Sequence, residues 1–144
     1  MKTAIILSVF LCLSLACNQS NAAEHATVKK IRIAFQQQEV LVAMFDNPAS
    51  RDFMRLLPLT LEFRDFASAE KIANLPRRLN TADSPTPKNA SGDFTYYAPW
   101  GNLAIFYKGS ASDGQLYILG QIMSGKDKLA GMKSPFTATI ELVE

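Results

Sequence analysis

Arg64 and the aromatic side chains Tyr96, Tyr97, Trp100, Phe106 and Tyr107 are the groups in this chain best suited to holding a ligand. A guanidinium offers a planar fork of donors to a carbonyl or carboxylate. Tyrosine and tryptophan present an apolar ring with a polar tip, which suits a peptide, a proline ring or a sugar. Plain packing competes with that reading. Period two sends Tyr96 and Tyr97 to opposite faces of a strand, and Phe106 and Tyr107 likewise, so one of each pair belongs to a core. Trp100, in the turn Pro99-Trp100-Gly101-Asn102, is the strongest single contact candidate. Arg64 shares a strand face with Glu62 and Phe66, where an arginine commonly lies along an apolar wall and pairs locally. The expected ligand-binding residues are therefore Arg64, Tyr97, Trp100 and Tyr107. Arg64 is also the one candidate for a catalytic donor.

Other chemistries find little support. His25 is the only histidine and falls in a polar leader, so a Ser/His or Cys/His pair would have to use it. No Gly-x-Ser-x-Gly is present. Glu62, Asp65 and Glu70 could supply a carboxylate pair, but Glu62 and Asp65 alternate to opposite faces of one strand. No metal site and no cofactor are expected, because the carboxylates form no ligand cluster and the cysteines lie upstream. Asn89-Ala90-Ser91 matches a glycosylation acceptor pattern, here taken as chance.

Residues 1–22 read as an export signal. Lys2 supplies the positive start, and Ala4 to Ala16 is nearly all apolar, too short to span a bilayer, which takes ~20 apolar residues. Ser20 and Ala22 sit at small-x-small spacing, so the mature domain is expected over residues 23–144. A competing reading takes Leu13-Ser14-Leu15-Ala16-Cys17 as a lipobox, with Cys17 lipid-anchored; Ser14 stands where leucine is usual. Both cysteines, Cys12 and Cys17, precede residue 22, so the mature domain would rest on its hydrophobic core without a disulfide. Lys2 is the one charge lost, leaving 14 basic against 13 acidic residues and a net charge of +1. The basic residues are scattered, and Arg77-Arg78 reads as a solvated loop. This balance argues against nucleic acid and an anionic membrane as partners. A monomer in the periplasm or outside the cell, binding a small molecule or peptide, is expected.

The elements that must position these side chains follow from periodicity. Val28–Phe35 and Glu39–Phe45 alternate around Gln36-Gln37-Gln38 and predict an opening hairpin. Asn47-Pro48 predicts a helix start, and Ala49, Phe53, Leu56 and Leu57 continue an apolar stripe for ~10 residues to Pro58. Leu59–Phe66 returns to period two, with Leu59, Leu61 and Phe63 on one face. Glu70–Ala73 reads as an edge-pairing segment or a turn. Leu75 to Ala90 is a long, proline-marked connection of a length that is often functional or mobile. Asp93–Ala98, Leu103–Tyr107, Gln115–Met123 and Phe136–Val143 are further strands. Gly120 marks a bulge or close approach, and Asp127–Met132 a single helical turn. Seven or eight strands at short intervals with one or two short helices predict a mainly β, small closed barrel.

Leu56-Leu57-Pro58-Leu59-Thr60-Leu61, Leu75-Pro76, Gly92-Asp93 with Tyr96-Tyr97, Trp100-Gly101-Asn102-Leu103-Ala104-Ile105-Phe106-Tyr107 and Leu119-Gly120-Gln121-Ile122 together resemble the bacterial cyclophilin-like proteins of uncharacterised role. The resemblance runs from about Val28 to the C-terminus. It implies a cyclophilin-type barrel of about eight strands closed by short helices. Cyclophilins isomerise X-Pro bonds with an arginine in a Phe-His-Arg context that hydrogen-bonds the prolyl nitrogen. This chain has no Phe-His-Arg, and Phe63-Arg64 is a partial match. The resemblance thus implies either a ligand-binding barrel or a prolyl isomerase that would rely on Arg64.

Overall fold

In the computed structural model, residues 28–87, 90–109, 111 and 113–143 are described. The expected export signal, Cys17, His25 and Asn89 lie outside the described residues. The alternating runs at the start form strands β1 (Lys30–Phe35) and β2 (Gln38–Met44), paired antiparallel. Gln36 and Gln37 turn between them at φ of 44° and 61°. Two consecutive left-handed residues match the right-handed twist of the flanking strands.

Helix α1 (Pro48–Met54) begins as its residues dictate: Asn47 Oδ1 accepts from the Ser50 backbone N–H at 2.9 Å, and proline occupies the first turn. The helix is shorter than the apolar stripe predicts. Past Met54 the Leu56 and Leu57 amides donate to Phe53 and Met54 carbonyls, i→i+3 bonds that tighten the final turn. Ala49 and Phe53 still reach the core, the latter edge-on to Phe94 at 5.4 Å.

Strands β3 (Leu59–Phe66) and β4 (Glu70–Asn74) form a hairpin around Ala67 and Ser68, both at φ 53°. The described residues between Leu75 and Gly92 form no helix or strand, yet they are pinned. Arg77 grips Asp52 of α1 with two hydrogen bonds of 2.8 and 2.9 Å, Leu79 is buried, and the Pro85 carbonyl accepts from the Ile118 amide. That grip, led by the Arg77 hydrogen bonds, holds the Asp52 carboxyl down at about 2. Strands β5 (Asp93–Tyr97), β6 (Asn102–Phe106) and β7 (Leu116–Ser124), helix α2 (Lys126–Gly131) and strand β8 (Phe136–Val143) complete the chain.

The eight strands close in the order β1-β2-β7-β5-β6-β4-β3-β8, with every pair antiparallel. This is the closed, mainly β barrel that periodicity predicts, and closure removes the free strand edges that an open sheet would expose. Helix α1 follows the end of β2 and α2 follows the end of its antiparallel neighbour β7, so the two helices sit at opposite ends. The interior is filled by Ile31, Ile33, Val40, Val42, Phe63, Phe94, Leu103, Ile105 and Ile140, all fully buried. Phe136 bridges two aromatics there, at 4.8 Å from Phe35 and 5.6 Å from Phe63. Gly120 lies beside a register shift in the β5–β7 pairing, and a Cβ there would stand 2.4 Å from the Ala43 carbonyl oxygen. Only glycine permits that approach of β2 to β7.

Candidate functional site

Strand β6 departs from the usual alternation: Asn102, Leu103, Ala104, Ile105 and Phe106 are all buried. An antiparallel barrel strand needs only one dry face, so the second must be covered by something other than the core. Leu103 and Ile105 point inward. Ala104 and Phe106 point outward, where with Ile72 of β4 and Leu116 of β7 they form a separate apolar cluster, flanked by Tyr97 and Ala111. This cluster floors a recess of about 220 Å³ on the outer wall of the barrel. That volume is below the ~300–1,000 Å³ of pockets for whole drug-sized ligands, so the recess suits a small molecule or one side chain of a larger one.

Three aromatics wall the recess. Trp100 packs edge-on against Tyr97 at 5.4 Å and against Phe66 at 5.6 Å, both at 81° between ring planes. Trp100 is nevertheless 56% exposed and Phe66 40%. The turn that carries Trp100 depends on Gly101, at φ +66°, whose amide donates back to the Tyr97 carbonyl at 2.9 Å. A side chain at that φ would be strained.

The polar groups of the recess are acidic or neutral. Glu70 and Asp113 contribute carboxylates, and neither forms an ion pair among the described residues. Glu70 also lacks a hydrogen-bond partner among them; burial, with the negative charge of Asp65 adding to it, pushes its carboxyl up to about 6. Asn102, 2% exposed, donates from Nδ2 to the Leu103 carbonyl at 2.8 Å, while its Oδ1 has no partner among the described residues. A buried acceptor left unpaired costs on the order of 1–3 kcal/mol, which makes it a notable feature of a pocket wall.

The structure brings Tyr97 and Trp100 together in this recess. Arg64 lies on the same outer face, directly across from Ile72 in the β3–β4 register, but outside the pocket lining and without an ion pair among the described residues. Tyr107 is elsewhere. Its hydroxyl donates to Asp65 Oδ1 at 2.6 Å, and its ring lies 4.9 Å from the Nζ of Lys71. Lys71 is 1% exposed and donates to Asp65 at 2.7 Å and to the Met132 carbonyl. Asp65, accepting from Lys71 and then Tyr107, is held below the usual carboxylate range; desolvation and Asp65 push the Tyr107 hydroxyl up to about 12. This cluster seals the α2 end of the barrel.

A further recess of about 450 Å³ lies between Phe45, Pro85, Thr86 and Ile118. Its buried polar groups are already engaged: Asn47 caps α1 and donates to the Ile118 carbonyl, and Asp93 accepts from the Ala90 amide. The outer aromatic recess is therefore the better candidate site. Phe66, Asn102, Ala104 and Leu116 are the lining residues that reading single strands misses. The available signal was the run Leu103-Ala104-Ile105-Phe106, apolar on both faces. Among the described residues no helix is long and apolar enough to cross a membrane, and no three His, Cys, Asp or Glu residues group as metal ligands.

Fold and recess define a small antiparallel β-barrel protein with an aromatic pocket on its outer wall. Residues 33–141 match the Cyclophilin-like family, and the chain belongs to that family. The solution structure of the hypothetical protein AF2241 from Archaeoglobus fulgidus is similar, with 16% sequence identity and a TM-score of 0.63 over 83% of this chain and 98% of that one. That likeness concerns the fold alone. No curated protein matches the chain.

Proposed function

We propose that this cyclophilin-like barrel is a binding module that takes a small ligand, or one side chain of an extended peptide, in the outer recess. The observation that carries the reading is the exposed ring of Trp100, held by Tyr97 and Phe66 over a buried apolar floor. An aromatic left this open beside a dry floor gains most by being covered. Trp100 is the single tryptophan of the chain, so its emission reports directly on occupancy. Titration with a panel of short X-Pro peptides and small apolar ligands should shift that emission saturably, and Trp100→Ala should abolish binding measured by calorimetry. Saturable binding that survives Trp100→Ala would place the ligand elsewhere and sink the reading.

A second reading, peptidyl-prolyl isomerisation, is favoured by one observation: Arg64 lies across from Ile72, at the margin of the recess. A proline ring on the aromatic wall would bring a prolyl amide toward the guanidinium, which could donate to the nitrogen as amide resonance is lost. Turnover of X-Pro peptides by the purified protein, abolished in a folded Arg64→Ala variant, is the expected result on this reading. Turnover indifferent to that substitution would remove Arg64 from the mechanism. The protein is proposed to work outside the cytoplasm as a monomer, either freed after residue 22 or anchored through lipid on Cys17. Mass spectrometry of the mature N-terminus distinguishes the two forms.

A further inference from the structure

We infer that the outer recess selects an organic cation, an alkylated ammonium group, carried by a small molecule or by a side chain of a peptide. The inference rests on the proposed binding role of the recess and specifies the chemistry of what enters it.

Among the described residues the lining carries no basic side chain, but it carries two carboxylates, Glu70 and Asp113, that no cation among them neutralises; Asp113 Oδ1 accepts from the Gln115 amide at 2.8 Å. A third acceptor, Asn102 Oδ1, is buried and without a partner there. The charged groups of the lining are thus all anionic, while its donors, the Trp100 indole N–H and the Tyr97 hydroxyl, are uncharged. Three ring systems, Phe66, Tyr97 and Trp100, stand beside these groups. Ring faces are electron-rich, and a cation within about 6 Å of a ring centroid is attracted to them, most strongly to tryptophan. An anionic ligand would be repelled by Glu70 and Asp113.

The floor decides which cation. Ile72, Ala104, Phe106 and Leu116 offer nothing to hydrogen-bond. A primary ammonium carries three donors and a tightly held hydration shell, and would lose that shell against an apolar floor. An alkylated ammonium spreads its charge over methyl groups that can rest on the floor while aromatic faces and carboxylates supply the attraction. The cavity, about 220 Å³, is of a size for such a head group alone. Two guanidiniums flank the recess and would oppose a positively charged ligand: Arg64, opposite Ile72 by register, and Arg78, which donates to the Ala98 and Pro99 carbonyls of the turn that carries Trp100.

The test follows Trp100 emission in the intact protein. Choline is titrated against 3,3-dimethyl-1-butanol, its uncharged counterpart of the same shape. Choline should bind about tenfold more tightly than the alcohol, within the range that one cation–aromatic contact provides. Glu70→Gln should weaken choline by about fivefold and leave the alcohol unchanged, and Arg64→Gln should leave choline unchanged or tighten it. A peptide with one trimethyllysine, compared with the unmodified peptide, separates the sources: tighter binding than choline assigns the cation to a peptide, weaker binding to a free small molecule. Equal binding of choline and the alcohol, or weakening of choline by Arg64→Gln, overturns the charge selectivity and leaves an apolar pocket. Binding of X-Pro peptides with no response to any cation overturns the inference alone, whereas silence toward every ligand overturns the binding role with it.

Discussion

Glu70 and Lys71 are neighbours on β4 and face opposite sides of the barrel wall. Lys71 turns inward, is 1% exposed, and spends its donors on Asp65 and the Met132 carbonyl, with the Tyr107 hydroxyl completing the cluster. Glu70 turns outward into the aromatic recess and has no partner among the described residues. A charge removed from water must be paired or must shift its protonation. Lys71 takes the first course, within a closed network that holds the barrel end. Glu70 takes the second, and an unpaired, partly desolvated carboxylate beside exposed rings is what a site awaiting a complementary group would contain. Adjacent residues thus separate a structural cluster from a candidate binding site.

The contrast can be broken at several points. The largest effect should come from Lys71→Met, which keeps the volume but removes the donor to Asp65 and to the Met132 carbonyl; because the Asp65 side chain stays 30% exposed, the expected loss in denaturant melts is about 2 kcal/mol. A loss under about 1 kcal/mol would mean that the cluster does not hold the barrel end. Glu70→Gln should act in the opposite direction. Because the folded-state carboxyl is raised to about 6, its favourable contribution is present below the ordinary value of 4.5 and is lost as pH rises through about 6. A neutral glutamine avoids that loss, so the variant should be about 1 kcal/mol more stable than the parent at pH 7.5 and equal to it at pH 4. Equal stability at both pH values would show that Glu70 is well solvated.

Trp100→Ala should lower stability by about 1 kcal/mol or less, since the ring is largely exposed and contributes mainly two edge-on contacts. The same variant should lose binding in the recess, a split between stability and function that no member of the Lys71 cluster should display. The smallest effect is expected at Arg64: Arg64→Ala should change stability by no more than about 0.5 kcal/mol, because the side chain is exposed and forms no ion pair among the described residues. A larger loss, seen in the same melts, would reveal a structural role for that arginine.

Much of the barrel was legible along the chain. Hydrophobic alternation marks β1, β2, β3 and β8, Asn47-Pro48 announces the start of α1, and Gly120 signals the close approach to β2. The turn at Ala67-Ser68 was not legible, because neither residue is glycine or asparagine and both adopt φ 53° only within the β3–β4 pairing. β4 itself was ambiguous for a related reason: five residues, Glu70–Asn74, become a strand because β3 and β6 flank them. In the candidate site, Tyr97 and Trp100 could be named from their types and from the turn. Phe66, Ile72, Ala104 and Leu116 could not be joined to them, since they come from four strands.

The chain by itself determined what depends on near neighbours: the period-two faces, the capped helix start, the two-faced apolar run at β6, and the lack of any cysteine after residue 17. Only the tertiary structure decided where the outward faces meet. Barrel closure sets β4 beside β6, and β5 between β6 and β7, so that an outer cluster, an aromatic wall and an unpaired carboxylate share one recess. Contacts of that kind join residues far apart in the chain. Their geometry is set by strand register and twist, which local side-chain preferences do not encode.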